Sequence, residues 1–267
     1  MKTIALLGCG ALAHVFSDHF CLLPQGAYQI THACAKTLEH AQSIAQAHPG
    51  CVATDSIDTI VAAKPDLVVE FAGIGAVQEH AQAILKAGIS FVMVSVGALA
   101  DARFKALLQE TARDNHCDLY VANGAIGGFD LMQTFSLMGL DQVSITSTKS
   151  PRSLNGAPYL KGRVLSEQTD ETVFTGSVTD AIAGFPKNVN VAVATACASN
   201  FANTKVRVIS QATSKVNSHS IELVGQHVKA HICIASTPDP KNPKSSTSTA
   251  FSVLALLKNL AGSIHYF

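Results

Sequence analysis

Residues 4–13 read Ile4-Ala5-Leu6-Leu7-Gly8-Cys9-Gly10-Ala11-Leu12-Ala13, an apolar run that breaks at a pair of glycines. A short continuous apolar run ending in glycine is the pattern of a strand buried on both faces of a parallel sheet. Beyond the break, Leu12, Val15, Phe16, His19, Phe20 and Leu23 recur at helical spacing, which predicts a helix over 11–23 closed by Pro24 and Gly26. Strand, glycine turn and helix together open a βαβ unit.

Outward from this opening the alternation repeats. Strands are expected at 29–35, 51–53, 66–71 (DLVVEF), 90–96 (SFVMVSV) and 118–122 (DLYVA), and helices at 38–47, 56–63, 77–87 and 101–115. Strands alternating with helices of this length build a right-handed parallel sheet with helices on both faces. The fold class is therefore α/β, with a doubly wound Rossmann domain over residues 1–123. After Gly124-Ala125-Ile126-Gly127-Gly128 and one more helix at 130–139, the pattern becomes a period-two alternation at 143–148, 206–209, 220–224 and 227–234. That is the signature of a mixed or antiparallel sheet with one covered face, with an apolar helix at 188–202 to cover it. Residues 124–244 form this second α/β domain, expected to bind substrate and to make oligomer contacts. A last helix within 245–267, from about Ser246 to Leu260, is expected to pack back on the first domain.

Composition narrows the function. Of 267 residues, 48% are hydrophobic and 14% charged, and 19 Lys plus Arg balance 19 Asp plus Glu. That balance leaves no basic footprint for nucleic acid and no polybasic patch for a membrane surface, so a small-molecule ligand is the expected partner. No apolar run reaches the roughly 18 residues that span a bilayer. Residues 1–9 superficially resemble a lipoprotein signal, but an apolar core of about five residues falls short of the ~7 of an h-region. The seven cysteines contain no CxxC pair, which suits free thiols in the cytoplasm rather than disulfides or a zinc site.

The opening turn has the form G-x-G-x-x-A. In this context Gly8 permits the tight turn and Gly10 lets the backbone approach a diphosphate. Ala13 keeps the helix close to the sheet, and the helix N-terminus around Ala11 and Leu12 offers N–H groups to phosphate. A dinucleotide is the implied cofactor. An acidic residue for the ribose 2′-hydroxyl is expected about twenty positions on, yet Thr31 to Thr37 contains no carboxylate and does contain Lys36. Lys36 suits a 2′-phosphate, so NADP is expected to be accepted, alone or with NAD. Ala72, Gly73 and Gly75 form a second small-residue turn after the 66–71 strand, at the carboxyl edge where open α/β folds bind ligands.

Among eleven histidines, His227 and His231 are four apart on a strand, separated by more than ten ångströms at ~3.3 Å per residue; no metal is expected. His219 stands where the extended stretch 211–218 enters a strand, a rim position for a general acid–base group with a pKa near neutrality. The stretches VVEFAGIGAV, SVGALAD, NGAIGGFD, FPKNVNVA, NSHSIE and NPKSSTSTA, in order along nearly the whole chain, together resemble the L-aspartate dehydrogenase family. The resemblance implies NAD- or NADP-dependent interconversion of L-aspartate with oxaloacetate and ammonia through iminoaspartate, in a homodimer or homotetramer. It implies that His219 matches the catalytic histidine and that Ala125 and Asn190 match cofactor-contacting positions. The dicarboxylate needs cationic or N–H partners, for which Lys187, Lys244 and Ser245 at the start of the last helix are candidates. Two readings compete: another two-domain oxidoreductase of the dihydrodipicolinate reductase or homoserine dehydrogenase kind, and a non-catalytic dinucleotide sensor.

Overall fold

The computed structural model of the chain describes residues 1–186, 190–239 and 242–266, with the side chains of 238–239 and 242–245 outside that description. The chain divides into two compact units, one of residues 1–122 with 249–266 and one of residues 123–248.

The first unit is built on six strands, β1 (Lys2–Leu7), β2 (Tyr28–Cys34), β3 (Val52–Thr54), β4 (Leu67–Glu70), β5 (Ser90–Met93) and β6 (Leu119–Val121). They lie in the order β3-β2-β1-β4-β5-β6, and every pair is parallel. The chain runs outward from β1 to β3, then restarts beside β1 with β4. Loops after β1 and β4 thus diverge at a topological switch point. The connecting helices are α1 (Ala11–Asp18), α2 (Leu38–Gln46), α3 (Ile57–Ala63), α4 (Ile74–Lys86) and α5 (Ala102–Asp114). Helix α1 is shorter than its hydrophobic spacing suggests: a 3-10 turn at Phe20–Leu22 takes over where His19 caps it. Helix α4 begins three residues earlier than expected because Gly73, at φ 117°, serves as its N-cap. Ile4, Leu6, Phe16, Ile30, Ile44 and Val69 anchor the core between sheet and helices.

The second unit follows with α6 (Phe129–Met138), β7 (Gln142–Lys149), α7 (Pro151–Leu154), β8 (Glu171–Ser177), α8 (Val178–Gly184), α9 (Asn190–Ala198), β9 (Lys205–Ser210), β10 (Asn217–Val224), β11 (Lys229–Ser236), β12 (Pro238–Asp239) and β13 (Asn242–Ser246). Its main sheet has the order β11-β10-β7-β9-β8, with β7 and β9 parallel and the other neighbours antiparallel. Strand β8 and helix α8 lie in a stretch that carried no sequence expectation. Phe174 of β8 and Phe185, just after α8, pack with Tyr159 in an aromatic trio whose ring centroids lie 5.3–5.9 Å apart.

The last helix, α10 (Ser248–Ala261), belongs to the first unit from Thr249 onward. It buries Ala250, Val253, Leu254 and Leu257 in that unit's core, and Tyr28 Oη donates to the Leu257 carbonyl at 3.0 Å. Residues 242–246 are a strand, so Ser245 and Ser246 precede the helix instead of starting it.

Candidate functional site

The carboxyl edge of the parallel sheet is shaped by main chain. Gly8 sits at φ 94°, and a Cβ there would meet the backbone N of Ala72 at 2.5 Å. Only glycine satisfies both demands, left-handed backbone and close approach, and the approach brings the turns after β1 and β4 into contact. Gly10 differs. It is exposed, its backbone is extended, and a Cβ placed on it would meet nothing within 4 Å. The space beside it is open, and neither α1 nor α4 has a side-chain cap on its first N–H groups. Uncapped helix starts flanking an open glycine fit the diphosphate of a dinucleotide.

Beneath this edge lies a residue to which sequence reasoning gave no role. Glu70, the last residue of β4, is fully buried. It accepts from the N–H groups of Gly73 (2.7 Å), Val94 (3.1 Å) and Ser95 (2.8 Å) and from Ser95 Oγ (2.8 Å). Burial raises its proton affinity while the four hydrogen bonds pull it back. The carboxyl group thereby ties the turn after β4 to the turn after β5. Its signal was a lone acid at the end of an otherwise apolar strand.

In the second unit one face of the mixed sheet changes character along its length. On β7 the buried positions are Val143, Ile145, Ser147 and Lys149; on β9 they are Val206, Val208 and Ser210; on β10 they are Asn217, His219, Ile221 and Leu223. The strand register places Ser147 opposite His219 and Lys149 beside Ser210. All the polar members therefore gather at one end of one covered face. Ser147 Oγ lies 2.9 Å from His219 Nδ1, which leaves Nε2 as the nitrogen open to proton exchange. Burial, and then the cation of Lys149, push the His219 pKa down to about 3, and burial lowers Lys149 to about 8. The imidazole is neutral at pH 7, where the sequence suggested a pKa near neutrality. It is also 2% exposed within a strand, not on a rim loop. Polar residues continue the inward alternation, so the hydrophobic pattern placed the strand's start three residues late.

Two family descriptions match the chain in succession: "Homoserine dehydrogenase, NAD binding domain" over residues 8–122 and "Aspartate dehydrogenase, C-terminal" over residues 130–260. The L-aspartate dehydrogenase of Methanospirillum hungatei is 33% identical over 260 residues, covering 97% of each chain. That of Methanococcus maripaludis is 32% identical over 262 residues, covering 98% of this chain and 97% of its own. The chain belongs to the L-aspartate dehydrogenase family. A crystal structure of aspartate dehydrogenase from Thermotoga maritima shares the fold, with a TM-score of 0.78 at 23% identity and full coverage of both chains. The first unit is thus an NAD-binding domain, with parallel strands in the order expected for one.

Within a member of this family the residues singled out from sequence fall into three groups. Gly8, Gly10, Ala11, Leu12, Ala13, Ala72, Gly73 and Gly75 share the carboxyl edge of the parallel sheet, Gly75 lying in the first turn of α4. Lys36 is exposed two residues past the end of β2. His219 lies in the polar corner, Asn190 opens α9, and half-buried Ala125 precedes α6, all three in the second unit. Lys187 lies outside the described residues, and Lys244 and Ser245 are described only as backbone of β13. Sequence reasoning missed Lys149, Ser147 and Ser210; the signal was a polar residue at an inward position in three neighbouring strands.

Proposed function

We propose that this chain is an NAD(P)-dependent L-aspartate dehydrogenase that interconverts L-aspartate with oxaloacetate and ammonia through iminoaspartate. The observation that carries this reading is a buried imidazole beside a buried cation, in a chain whose full length matches L-aspartate dehydrogenases. The Gly8–Ala13 turn and the Ala72–Gly75 turn bind the cofactor, with Ala125 and Asn190 as further contacts. When bound there, the cofactor would supply the hydride acceptor for oxidation at the α-carbon of the amino acid.

The protein's own groups handle the protons. His219, neutral and oriented through Nδ1 by Ser147, takes a proton at Nε2 from the water that adds to the imine carbon. The same nitrogen returns it to the departing amine. Burial of the corner keeps bulk water from competing for that proton. Lys187, Lys244 and the Ser245 N–H stand as partners for the substrate's carboxylates. Lys36, with no acid beside it in the Thr31–Thr37 stretch, supports acceptance of NADP as well as NAD.

The surroundings are consistent with a cytoplasmic enzyme: all seven cysteines are free, and no helix among the described residues is long and apolar enough to cross a membrane. Exposed Leu137 and Met138 at the end of α6 support assembly as a homodimer or homotetramer.

The test is a cofactor-linked absorbance assay with oxaloacetate plus ammonia in one direction and L-aspartate in the other, run with both coenzymes. Turnover in both directions is expected. Absence of turnover with either coenzyme refutes the assignment.

A further inference from the structure

The corner around His219 contains a group that the steps above leave unused. Lys149 is 4% exposed at the end of β7. Lysine is almost never so buried without a counter-charge, yet among the described residues the carboxylates that form ion pairs do so with other cations. Its neighbour in register on β9, Ser210, is fully buried, and Ser210 Oγ has no hydrogen-bond partner. Helix α9, which lies over β7, reads Asn190-Val-Ala-Val-Ala-Thr-Ala-Cys-Ala198 and brings no acid to this face. A buried lysine and a hydroxyl with no partner are thus paired in register on one covered face, and both can donate to an acceptor.

A carboxylate satisfies both at once. Its oxygens accept from the ammonium and from the hydroxyl, and such charge-assisted bonds are the strong ones. We propose that Lys149 and Ser210 hold a carboxylate of the substrate, an inference that rests on the aspartate reading above. The placement has a consequence for His219. Of the ionisable groups on these strands, His219 shares the covered face with Lys149, while Lys205, Arg207 and Glu222 take exposed positions on the alternate side. Lys149 is therefore the charge that depresses His219. A bound carboxylate offsets that charge, so the imidazole gains proton affinity when substrate arrives. The base is strengthened in the complex where it acts.

The experiment compares wild type, Lys149→Met and Ser210→Ala in the full-length protein. Lys149→Met is expected to raise KM for L-aspartate on the order of a hundredfold, the usual scale for losing one partner of a buried charged contact. Ser210→Ala is expected to raise it by about tenfold. Cofactor affinity by calorimetry should stay at the wild-type value in both. Without ligand, Lys149→Met should melt at or above the wild-type temperature, so lost affinity is not lost folding; Ser210→Ala, a minor truncation, keeps the question answerable if it does not. Succinate, a dicarboxylate without the amine, should raise the melting temperature of wild type but not of Lys149→Met.

KM values within about threefold of wild type in both variants, or equal stabilisation of wild type and Lys149→Met by succinate, overturn the proposal. Should wild type fail to turn over aspartate yet gain Lys149-dependent stability from succinate, the reaction assignment falls and the carboxylate subsite stands. Failure of both arms removes both.

Discussion

The edge of the parallel sheet and the corner of the mixed sheet are both places where a regular strand pattern stops, but they are built from different parts of the chain. At the edge the work falls to the backbone: Gly8 and Gly73 at positive φ, an open Gly10, and helix starts with no side-chain cap. At the corner the backbone is ordinary strand. What changes is the side chain at each inward position, from Val143 and Ile145 to Ser147 and Lys149, and from Leu223 and Ile221 to His219 and Asn217. A site made of backbone constrains residue type locally and leaves a motif. A site made of side chains on separate strands leaves only a local failure of hydrophobic alternation, which reads as the end of a strand.

The corner is tested hardest by His219→Ala. If the imidazole moves the protons, kcat should fall by roughly 10²–10⁴, the usual contribution of a general acid–base group, with cofactor binding unchanged. Steady-state kinetics beside calorimetry would check this. Unchanged turnover removes His219 from the mechanism and leaves the corner as structure alone.

The edge is tested by two glycines two residues apart. Gly8→Ala meets both a positive φ and a backbone atom at 2.5 Å, and should destabilise the protein by about 2–5 kcal/mol. Gly10→Ala adds a methyl group to open space on backbone that alanine adopts freely, so stability should stay within about 1 kcal/mol of wild type or rise slightly. Cofactor affinity should nevertheless fall, because the methyl fills the space assigned to the diphosphate. Denaturant melts with coenzyme titrations separate the two effects. A Gly10→Ala variant that binds coenzyme normally would move the diphosphate elsewhere.

Stability against pH distinguishes the regions again, because the corner's charges are desolvated. Lys149 falls from 10.5 to about 8 on folding. Its contribution is present above the unfolded value and is lost as pH drops through 8, so at neutral pH the buried ammonium costs about 3 kcal/mol. Lys149→Met should recover part of that and flatten the stability profile between pH 8 and 10.5. His219 acts in a lower window: with a folded pKa of about 3 against 6.5, stability holds above 6.5 and declines as pH falls toward 3. Chemical denaturation at a series of pH values reads both slopes.

The same contrast explains what was legible. The six strands, their parallel βαβ connection and the glycine turns follow from local apolar runs and punctuation, which act over about five to fifteen residues. His219 was found, but as a rim residue with an ordinary pKa, because its burial, the larger cause of the depression, and the cation of Lys149, 70 residues earlier in the chain, both emerge only when the strands are aligned. Lys149 and Ser210 were missed because each looks like a solvated polar residue until the strands are aligned. Glu70 was given no role at the end of its strand, since the N–H groups that surround it come from three different positions in two loops.

The smallest expected effect belongs to Lys36, where the backbone site meets a side chain. It is exposed after β2, and no hydrogen bond or ion pair fixes it among the described residues. An exposed lysine facing a 2′-phosphate gains at most about 1 kcal/mol through solvent. Lys36→Ala should therefore raise KM for NADP by a factor of about five and leave NAD unchanged. The difference between coenzymes is what matters, since a general loss would indicate damage to the loop. If NAD is strongly preferred and the ratio does not move, the 2′-phosphate has no partner here, and coenzyme choice is set by the backbone of the edge rather than by any charge beside it.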